Sequence, residues 1–147
     1  MKQIPNDIFF AWVETEINEG RSVRFRLKGY SMLPLLRNNV DEVVLSPCRG
    51  DSLCPMDTVL FKYQGKHLLH RIIRREGDRL LIQGDGSYIN REECSTNDVI
   101  GKVQAVIRPS GKTVTVDDWQ WRLPSCLWQY AGILRRPILR LLHYIYK

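Results

Sequence analysis

Long uninterrupted apolar runs are missing from this chain, and their absence excludes several classes of protein. The first twenty residues, MKQIPNDIFFAWVETEINEG, have acidic residues between the apolar ones and no small-residue cleavage site, so they do not predict a signal peptide. Later apolar runs are too short and too often charged to span a bilayer. Internal repeats and low-complexity segments are also missing. With 44% hydrophobic and 26% charged residues, the composition predicts an ordinary folded domain rather than a disordered chain.

Cysteine is scarce as well, with only Cys48, Cys54, Cys94 and Cys126. Because no signal peptide precedes them, we expect reduced thiols in a cytoplasmic protein rather than disulfides. The C-x5-C spacing of the first pair has no C-x2-C partner, so the sequence predicts no zinc site. No motif implies a cofactor.

Acidic residues are absent from the segment Trp119–Lys147, which contains five basic residues. The other 17 basic residues and all 16 acidic residues lie in residues 1–118, so this larger part is nearly neutral. A nearly neutral body lacks the broad basic surface of a nucleic-acid-binding protein, and we expect no nucleic-acid partner. We therefore divide the chain into a single domain over residues 1–118 and a basic, aromatic-rich helical tail over residues 119–147.

The periodicity of the body predicts a mainly β domain with an N-terminal helix. Apolar residues recur at helical spacing over Pro5–Glu19, with Asn6 as the cap and with Phe9, Trp12 and Val13 facing the body. About six short β-prone segments follow, and the last two form a hairpin. Because few helices separate these segments, we expect a curled antiparallel sheet or a partly open β-barrel.

The tail contains an apolar stripe at helical spacing, and Pro137 should kink the helix or start a second one. The stripe comprises Leu127, Tyr130, Ala131, Leu134, Ile138, Leu141, Leu142 and Ile145. Two interpretations stay open. In the first, this stripe and the tail tryptophans pack on the β core. In the second, the tail lies in the interface of an anionic membrane, where aromatic and basic side chains are favoured, and the protein is peripheral on the inner face of that membrane.

Serine becomes a good nucleophile only when a neighbouring base removes its proton, and the chain has three histidines. His67 and His70 lie three residues apart on one predicted strand and face opposite sides of the sheet, whereas His143 lies in the tail. His70, in the run LLHRII, is the candidate base, and a core histidine bound to a backbone carbonyl is the alternative. Ser31, in GYSMLP, is the candidate nucleophile. The alternative for Ser31 is a hydroxyl that caps the following turn.

Four segments follow one another between residues 25 and 106: KGYSMLPLL, MDTVLFKYQG, HLLHRII and LLIQGDG. In this order they resemble the serine peptidase clan that joins signal peptidases to the self-cleaving repressors of the SOS response. They resemble most the Ser-His signal peptidases of the archaeal and endoplasmic-reticulum type. The resemblance implies the β fold of that clan, Ser31 as nucleophile, His70 as general base and Asp85 as the acid that orients the imidazole. Asp98 is the second candidate for the acid, and a Ser-His dyad stays open.

The resemblance also implies a substrate and oxyanion region at Gly29, Tyr30, Met32 and Pro34, with the Ser31 amide as the chief oxyanion donor. We expect no membrane anchor before the serine. The resulting hypothesis is a cytoplasmic serine endopeptidase, without metal or cofactor, that cleaves an extended peptide or protein segment bound along a strand edge. The alternative is a catalytically inactive peptide-binding or maturation-partner module on the same fold.

Overall fold

The computed structural model describes residues 6–29, 31–87 and 90–146. Its helices and strands are, in chain order, α1 (Asn6–Asn18), β1 (Val23–Arg26), β2 (Glu42–Ser46), β3 (Thr58–Tyr63), β4 (Lys66–Glu76), β5 (Arg79–Gln83), β6 (Glu92–Ser95), β7 (Val99–Ile107), β8 (Thr113–Thr115), α2 (Trp119–Tyr130) and α3 (Arg135–Tyr146). Pro5, at which the predicted helix begins, lies outside the described residues, and Asn6 is the first residue of α1. Within the described ranges, no helix has both the length and the apolar character that crossing a bilayer requires.

Within the described residues, eight strands form one antiparallel sheet that does not close into a barrel. Its order is β1-β2-β7-β3-β4-β5-β6, with β8 paired to β7. The pairing skips two residues of β7, Ile100 and Gln104, and one residue of β4, Ile73, and such bulges bend and twist a sheet. The mainly β prediction is therefore confirmed. Strand β6 was not predicted, because its sequence EECS has no apolar alternation.

Helix α1 packs on the sheet through a face that differs in one residue from the prediction. Val13 and Ile17 are buried, and the Phe9 ring lies 5.6 Å from that of Phe25 on β1. Trp12, which was predicted to face the body, is 50% exposed. The reason is geometric, since neighbouring residues of a helix point about 100° apart and Val13 occupies the inward direction.

The tail forms two helices on the body, joined by a short 3-10 turn over Gly132–Leu134. Pro137 lies in the first turn of α3, which confirms the prediction that it starts a second helix. Trp121, Trp128 and Leu139 are buried in the main core, so part of the tail closes the body. Most residues of the predicted apolar stripe are not buried against the body. Its exposed members are Leu127, Tyr130, Leu134, Ile138, Leu141 and Ile145.

The core is divided between the two faces of the sheet. The main cluster lies among α1, the tail helices and strands that include β1, β2 and β7. A smaller cluster contains Leu53, Val59, Phe61, Ile72, Leu80 and Ile82. Because side chains alternate along a strand, neighbouring residues of β4 contribute to opposite faces. This alternation positions the candidate site.

Candidate active site

Strand β4 directs neighbouring side chains of the candidate site to opposite faces of the sheet. His70 lies on the face of the smaller cluster, with its ring centroid 5.9 Å from that of Phe61. Arg71 lies on the other face, with its guanidinium carbon 5.5 Å from the ring centroid of Trp121. His67 stacks on an aromatic ring of α1 at 4.9 Å. The predicted separation of His67 from His70 is therefore confirmed.

A cleft of about 840 Å³ opens on the His70 face. Ser31, His70 and Glu92 line this cleft, and His143 reaches it from α3. His70 is nearly buried, whereas Ser31 is exposed. The structure thus brings the predicted nucleophile and the predicted base to one cavity.

Gly84, which follows β5, lies between Ser31 and His70 with almost no spare room. A Cβ atom at Gly84 would lie 2.4 Å from the carbonyl oxygen of Ser31 and 3.1 Å from Nε2 of His70. The backbone N–H of Gly86 donates a hydrogen bond to the same Ser31 carbonyl at 2.7 Å. Nε2 of His70 therefore faces the Ser31 loop across Gly84.

The predicted hydrogen bond between Ser31 and His70 is not formed. Among the described residues, no hydrogen bond joins the Ser31 hydroxyl to the imidazole or to a backbone N–H of the turn that follows. The capping bond of the alternative interpretation is thus not formed either. Because the side chain is exposed, the hydroxyl can change rotamer without displacing a buried neighbour.

Glu92, the first residue of β6, contacts the other nitrogen of His70. Its Oε1 lies 2.6 Å from Nδ1, and the two side chains are 10% and 12% exposed for His70 and Glu92. The separation is that of an ion pair with a protonated imidazole, but its direction does not make a hydrogen bond to Nδ1. The sheet register explains the contact. Glu92 pairs with Ile82 and Ile82 with Ile72, so all three share the face of His70.

Asp85 lies on the opposite face of the sheet and pairs with Arg71. Nε of Arg71 donates to Oδ1 at 2.9 Å and Nη2 donates to Oδ2 at 2.8 Å, and both side chains are fully buried. Gln129 donates to Oδ1 at 3.1 Å, and the Trp128 indole donates to the Asp85 carbonyl at 2.9 Å. The structure therefore places Asp85 in a buried ion pair rather than against His70.

The position predicted for Asp85 is taken by Glu92, which the sequence reasoning did not single out. The second candidate, Asp98, accepts the N–H of Ser95 at 2.8 Å and caps a 3-10 turn. A usable signal was present, since Glu92 and Glu93 are the first acidic residues after Asp85. Which of the two faces the histidine depends on the pairing of a strand that was not predicted.

The electrostatic environment of His70 suits a neutral imidazole. Burial lowers the pKa of His70 below its ordinary value, while the carboxylates of Glu92 and Asp85 oppose this effect. Because Glu92 contacts Nδ1, the tautomer with its hydrogen on Nδ1 is favoured, which leaves the lone pair on Nε2. A neutral imidazole with its lone pair toward a serine loop is the state that a general base requires.

The predicted substrate and oxyanion region is only partly described. Tyr30 lies outside the described residues. Gly29 has φ of 96°, a left-handed conformation that favours glycine, and Pro34 follows a cis peptide bond. Met32 is buried, and its sulfur accepts the backbone N–H of Asp85 at 3.5 Å. Met32 thus links the Ser31 loop to the segment that carries Asp85.

The Ser31 loop is held at its far end by the buried carboxylate of Asp41. Oδ2 of Asp41 accepts the backbone N–H of Arg37 at 2.8 Å and lies 3.1 Å from Nη1 of Arg108. The same Arg108 nitrogen donates to the carbonyl of Leu35 at 2.8 Å. These contacts fix the chain after Ser31 against β7.

Two of the four cysteines, Cys48 and Cys94, are poorly suited to act as nucleophiles. All four are free thiols. Burial raises the pKa of Cys94 to about 11 and also raises that of Cys48, so neither forms a thiolate readily. In the described part of the chain, no group of three or more histidine, cysteine or acidic side chains is placed to hold a metal ion.

Comparison with known proteins gives no family for this chain. No protein-family model and no curated protein sequence matches it.

The close fit at Gly84 leads to a testable prediction. Gly84→Ala is expected to lower the free energy of unfolding by about 1–3 kcal/mol, because the added methyl group overlaps the Ser31 carbonyl. Urea denaturation measures this loss. Gly50→Ala is the matched control, since neither glycine has a positive φ and a Cβ at Gly50 meets only Thr96, at 3.4 Å. A Gly84→Ala protein as stable as the Gly50→Ala protein would contradict this packing.

Proposed function

We propose that this protein is a serine endopeptidase of the signal-peptidase-like type, with Ser31 as nucleophile, His70 as general base and Glu92 as the positioning acid. One observation carries the proposal. The His70 imidazole has a carboxylate 2.6 Å from Nδ1 and faces the Ser31 loop with Nε2, in a cleft that both residues line. A histidine with a purely structural role needs neither the carboxylate nor the opening toward a serine.

The arrangement suits acyl transfer. The Ser31 oxygen attacks the carbonyl carbon of a peptide bond, and its proton moves to Nε2 of His70. Glu92 stabilises the imidazolium, which then protonates the leaving amine. A water molecule, deprotonated by the same imidazole, hydrolyses the Ser31 ester. Before attack the Ser31 side chain rotates toward Nε2, in keeping with catalytic hydrogen bonds that align only when substrate is bound.

The substrate in this proposal is an extended peptide. Strand β1 precedes the Ser31 loop in the chain. It lies at one end of the sheet order and pairs with β2 on one side. On its other side no strand is paired among the described residues. A peptide added to this edge would use main-chain hydrogen bonds for affinity and would extend toward Ser31.

We place the activity in the cytoplasm because the cysteines are free thiols.

The proposal is tested by trapping the nucleophile with a mixed-sequence library of extended peptides that end in a boronate. The Ser31 oxygen gives an electron pair to boron and its proton passes to His70, so a tetrahedral adduct forms without a leaving group. Native mass spectrometry and peptide mapping should place this adduct on Ser31. Ser87→Ala is the matched control, because Ser87 lines the same cleft and is not paired with His70 in the proposal. It should leave the adduct intact.

A second candidate is a catalytically inactive peptide-binding or maturation-partner module. The absence of a Ser31–His70 hydrogen bond among the described residues favours it. The same library separates the two candidates. Peptides that bind reversibly without forming any Ser31 adduct would assign the binding module and exclude the peptidase.

Glu92→Gln is expected to slow adduct formation and to move its pH dependence. The reaction needs neutral His70, so its rate rises with pH through the pKa of His70, which burial holds below the ordinary value. Glu92 raises that pKa, and its removal should therefore shift the midpoint to still lower pH. The plateau rate should fall at the same time, by up to about 10⁴-fold, because the imidazolium loses its partner.

Glu93→Gln is the matched control for this experiment. Glu93 is the next residue of β6, its side chain is 68% exposed, and it pairs with Arg79 at 3.3 Å. The control should keep both the midpoint and the plateau of the wild-type profile. Identical profiles for the Glu92→Gln and Glu93→Gln proteins would remove Glu92 from the proposed mechanism.

A further inference from the structure

The cleft that contains Ser31 and His70 extends along one face of β4. Lys66, Leu68 and His70 alternate along this strand and all line the cleft, so their side chains share that face. At about 3.3 Å per residue, the Cα atoms of Lys66 and His70 are about 13 Å apart. About four residues of an extended peptide span the distance from the proposed base to Lys66.

Two basic side chains of this cleft are not paired with an acidic residue in the described part of the chain. They are Lys66 and Arg91, and both are exposed. Glu92 is the one acidic side chain among the described lining residues, and its carboxylate is engaged by His70. The positive charge of the cleft is therefore available to a ligand.

Neighbouring basic residues of the same sheet do have acidic partners. Lys62 on β3 pairs with Glu14 at 2.7 Å, and Arg79 on β5 pairs with Glu93 at 3.3 Å. Residues 1–118 contain nearly equal numbers of basic and acidic residues. The unpaired charge of the cleft thus stands against a body that is nearly neutral.

A buried cation lies behind the wall of the cleft. Arg135 of α3 is 8% exposed, and its Nη2 donates at 3.0 Å to the carbonyl of Ser87, which lines the cleft. Its Nε is buried without a hydrogen-bond partner among the described residues, none of which offers it a carboxylate within ion-pair distance. Burial lowers the pKa of Arg135, Asp85 opposes this effect, and the charge of Arg91 adds to it. Arg135 and Arg91 together therefore raise the positive potential of the cleft.

We propose that the cleft binds an extended peptide that carries acidic side chains. That such peptides are substrates rests on the proposed function. An acidic side chain close to the reacting carbonyl would pair with Arg91, and one about four residues away would pair with Lys66. A cleft lined by charge of one sign concentrates ligands of the opposite sign and favours them over neutral ones. Nucleic acid fits this surface less well, because the body outside the cleft is nearly neutral.

Binding of two matched peptide libraries tests the proposal. Both contain extended mixed-sequence peptides without basic residues, and one has glutamate wherever the other has glutamine. Each is titrated into the full chain carrying Ser31→Ala, which prevents cleavage, and fluorescence anisotropy measures the binding. The glutamate library should bind about tenfold more tightly. Lys66→Gln and Arg91→Gln should each reduce this preference by about two- to fivefold, the contribution of an exposed ion pair.

Lys112→Gln is the matched control, because Lys112 is an exposed lysine of the β7–β8 turn and does not line the cleft. It should keep the full preference for glutamate. Lys66→Arg should also keep it, since the charge is retained. Added salt should reduce the preference, because it screens exposed charges. A ratio of two affinities is unaffected by a uniform loss of folded protein, and thermal melting should confirm that every variant is folded.

Equal binding of the two libraries, or a preference that survives the double variant Lys66→Gln with Arg91→Gln, would overturn the proposal. If the libraries bind equally but a Ser31 boronate adduct forms, the peptidase assignment stands and only the acidic ligand class is lost. If glutamate is preferred but no adduct forms, acidic peptides are the ligands of a catalytically inactive binding module. A mixed-sequence oligonucleotide that binds more tightly than the glutamate library would instead assign the cleft to nucleic acid.

Discussion

Asp85→Asn is expected to lower the free energy of unfolding by about 3–5 kcal/mol, because it leaves the charge of Arg71 buried and unpaired. Both side chains of this pair are fully buried, and the two hydrogen bonds between them measure 2.8 and 2.9 Å. Asparagine keeps the shape of the aspartate but supplies only one acceptor oxygen and no charge. Urea denaturation of the single variant measures the effect.

The double variant Arg71→Met with Asp85→Leu is the control, because it keeps two buried side chains at these positions but removes both charges. Replacing both members of a buried ion pair by apolar residues is often close to neutral, so this protein should recover most of the lost stability. Under conditions in which the Asp85→Asn protein is folded, this protein should still form the Ser31 boronate adduct, since the carboxylate of the wild-type Asp85 contacts Arg71 and not His70. An Asp85→Asn protein that keeps its stability but loses the adduct would restore the catalytic role first expected for this residue.

His70→Gln is expected to slow formation of the Ser31 adduct by about 10²–10⁴-fold, the usual contribution of a general base. Glutamine nearly fills the space of the imidazole, so the fold should be kept. Ser31→Ala should form no adduct at all. Because the Ser31 side chain is exposed, its removal should change the free energy of unfolding by less than about 0.5 kcal/mol. A large loss of stability in Ser31→Ala would support a structural role for the hydroxyl.

His67→Gln is the matched control for the base. His67 lies on the same strand, but on the other face, where it stacks on Phe10 and lies 3.6 Å from Glu14. The variant should therefore form the adduct at the wild-type rate. If His67→Gln slows the reaction as much as His70→Gln does, neither histidine acts as the base, and both substitutions slow the reaction by perturbing β4.

The two carboxylates show where prediction from the sequence ended. Alternation along a strand separated His67 from His70, and the same rule places Arg71 and Asp85 on one face and His70 and Glu92 on the other. The resemblance, which is read along the chain, gave Asp85 the role of orienting His70. Alternation along the strands would have paired Asp85 with Arg71, which is next to His70 in the sequence. To find Glu92 as the neighbour of His70, the pairing of β6 with β5 would also have to be known.

Local pattern determined the elements whose side chains repeat regularly. Apolar spacing was enough for α1, for most strands and for the two tail helices, because a helix or strand with an apolar face must bury it. Ser31 and His70 were singled out by residue type and by the order of four segments that resembles the peptidase clan, and the structure brings both residues to one cleft. These features depend on residue type and on the strand period, which are properties of short segments of the chain.

Only the tertiary structure decided which groups meet across the sheet. Strand β6 forms because β5 offers an edge to pair with, not because EECS has a strong preference of its own, and this pairing brings Glu92 to Nδ1 of His70. In the same way, the apolar residues of α3 looked alike in the sequence, yet Leu139 is buried and Leu141 is exposed. The direction from which the body meets the helix separates the two residues, and that direction depends on contacts far apart in the chain.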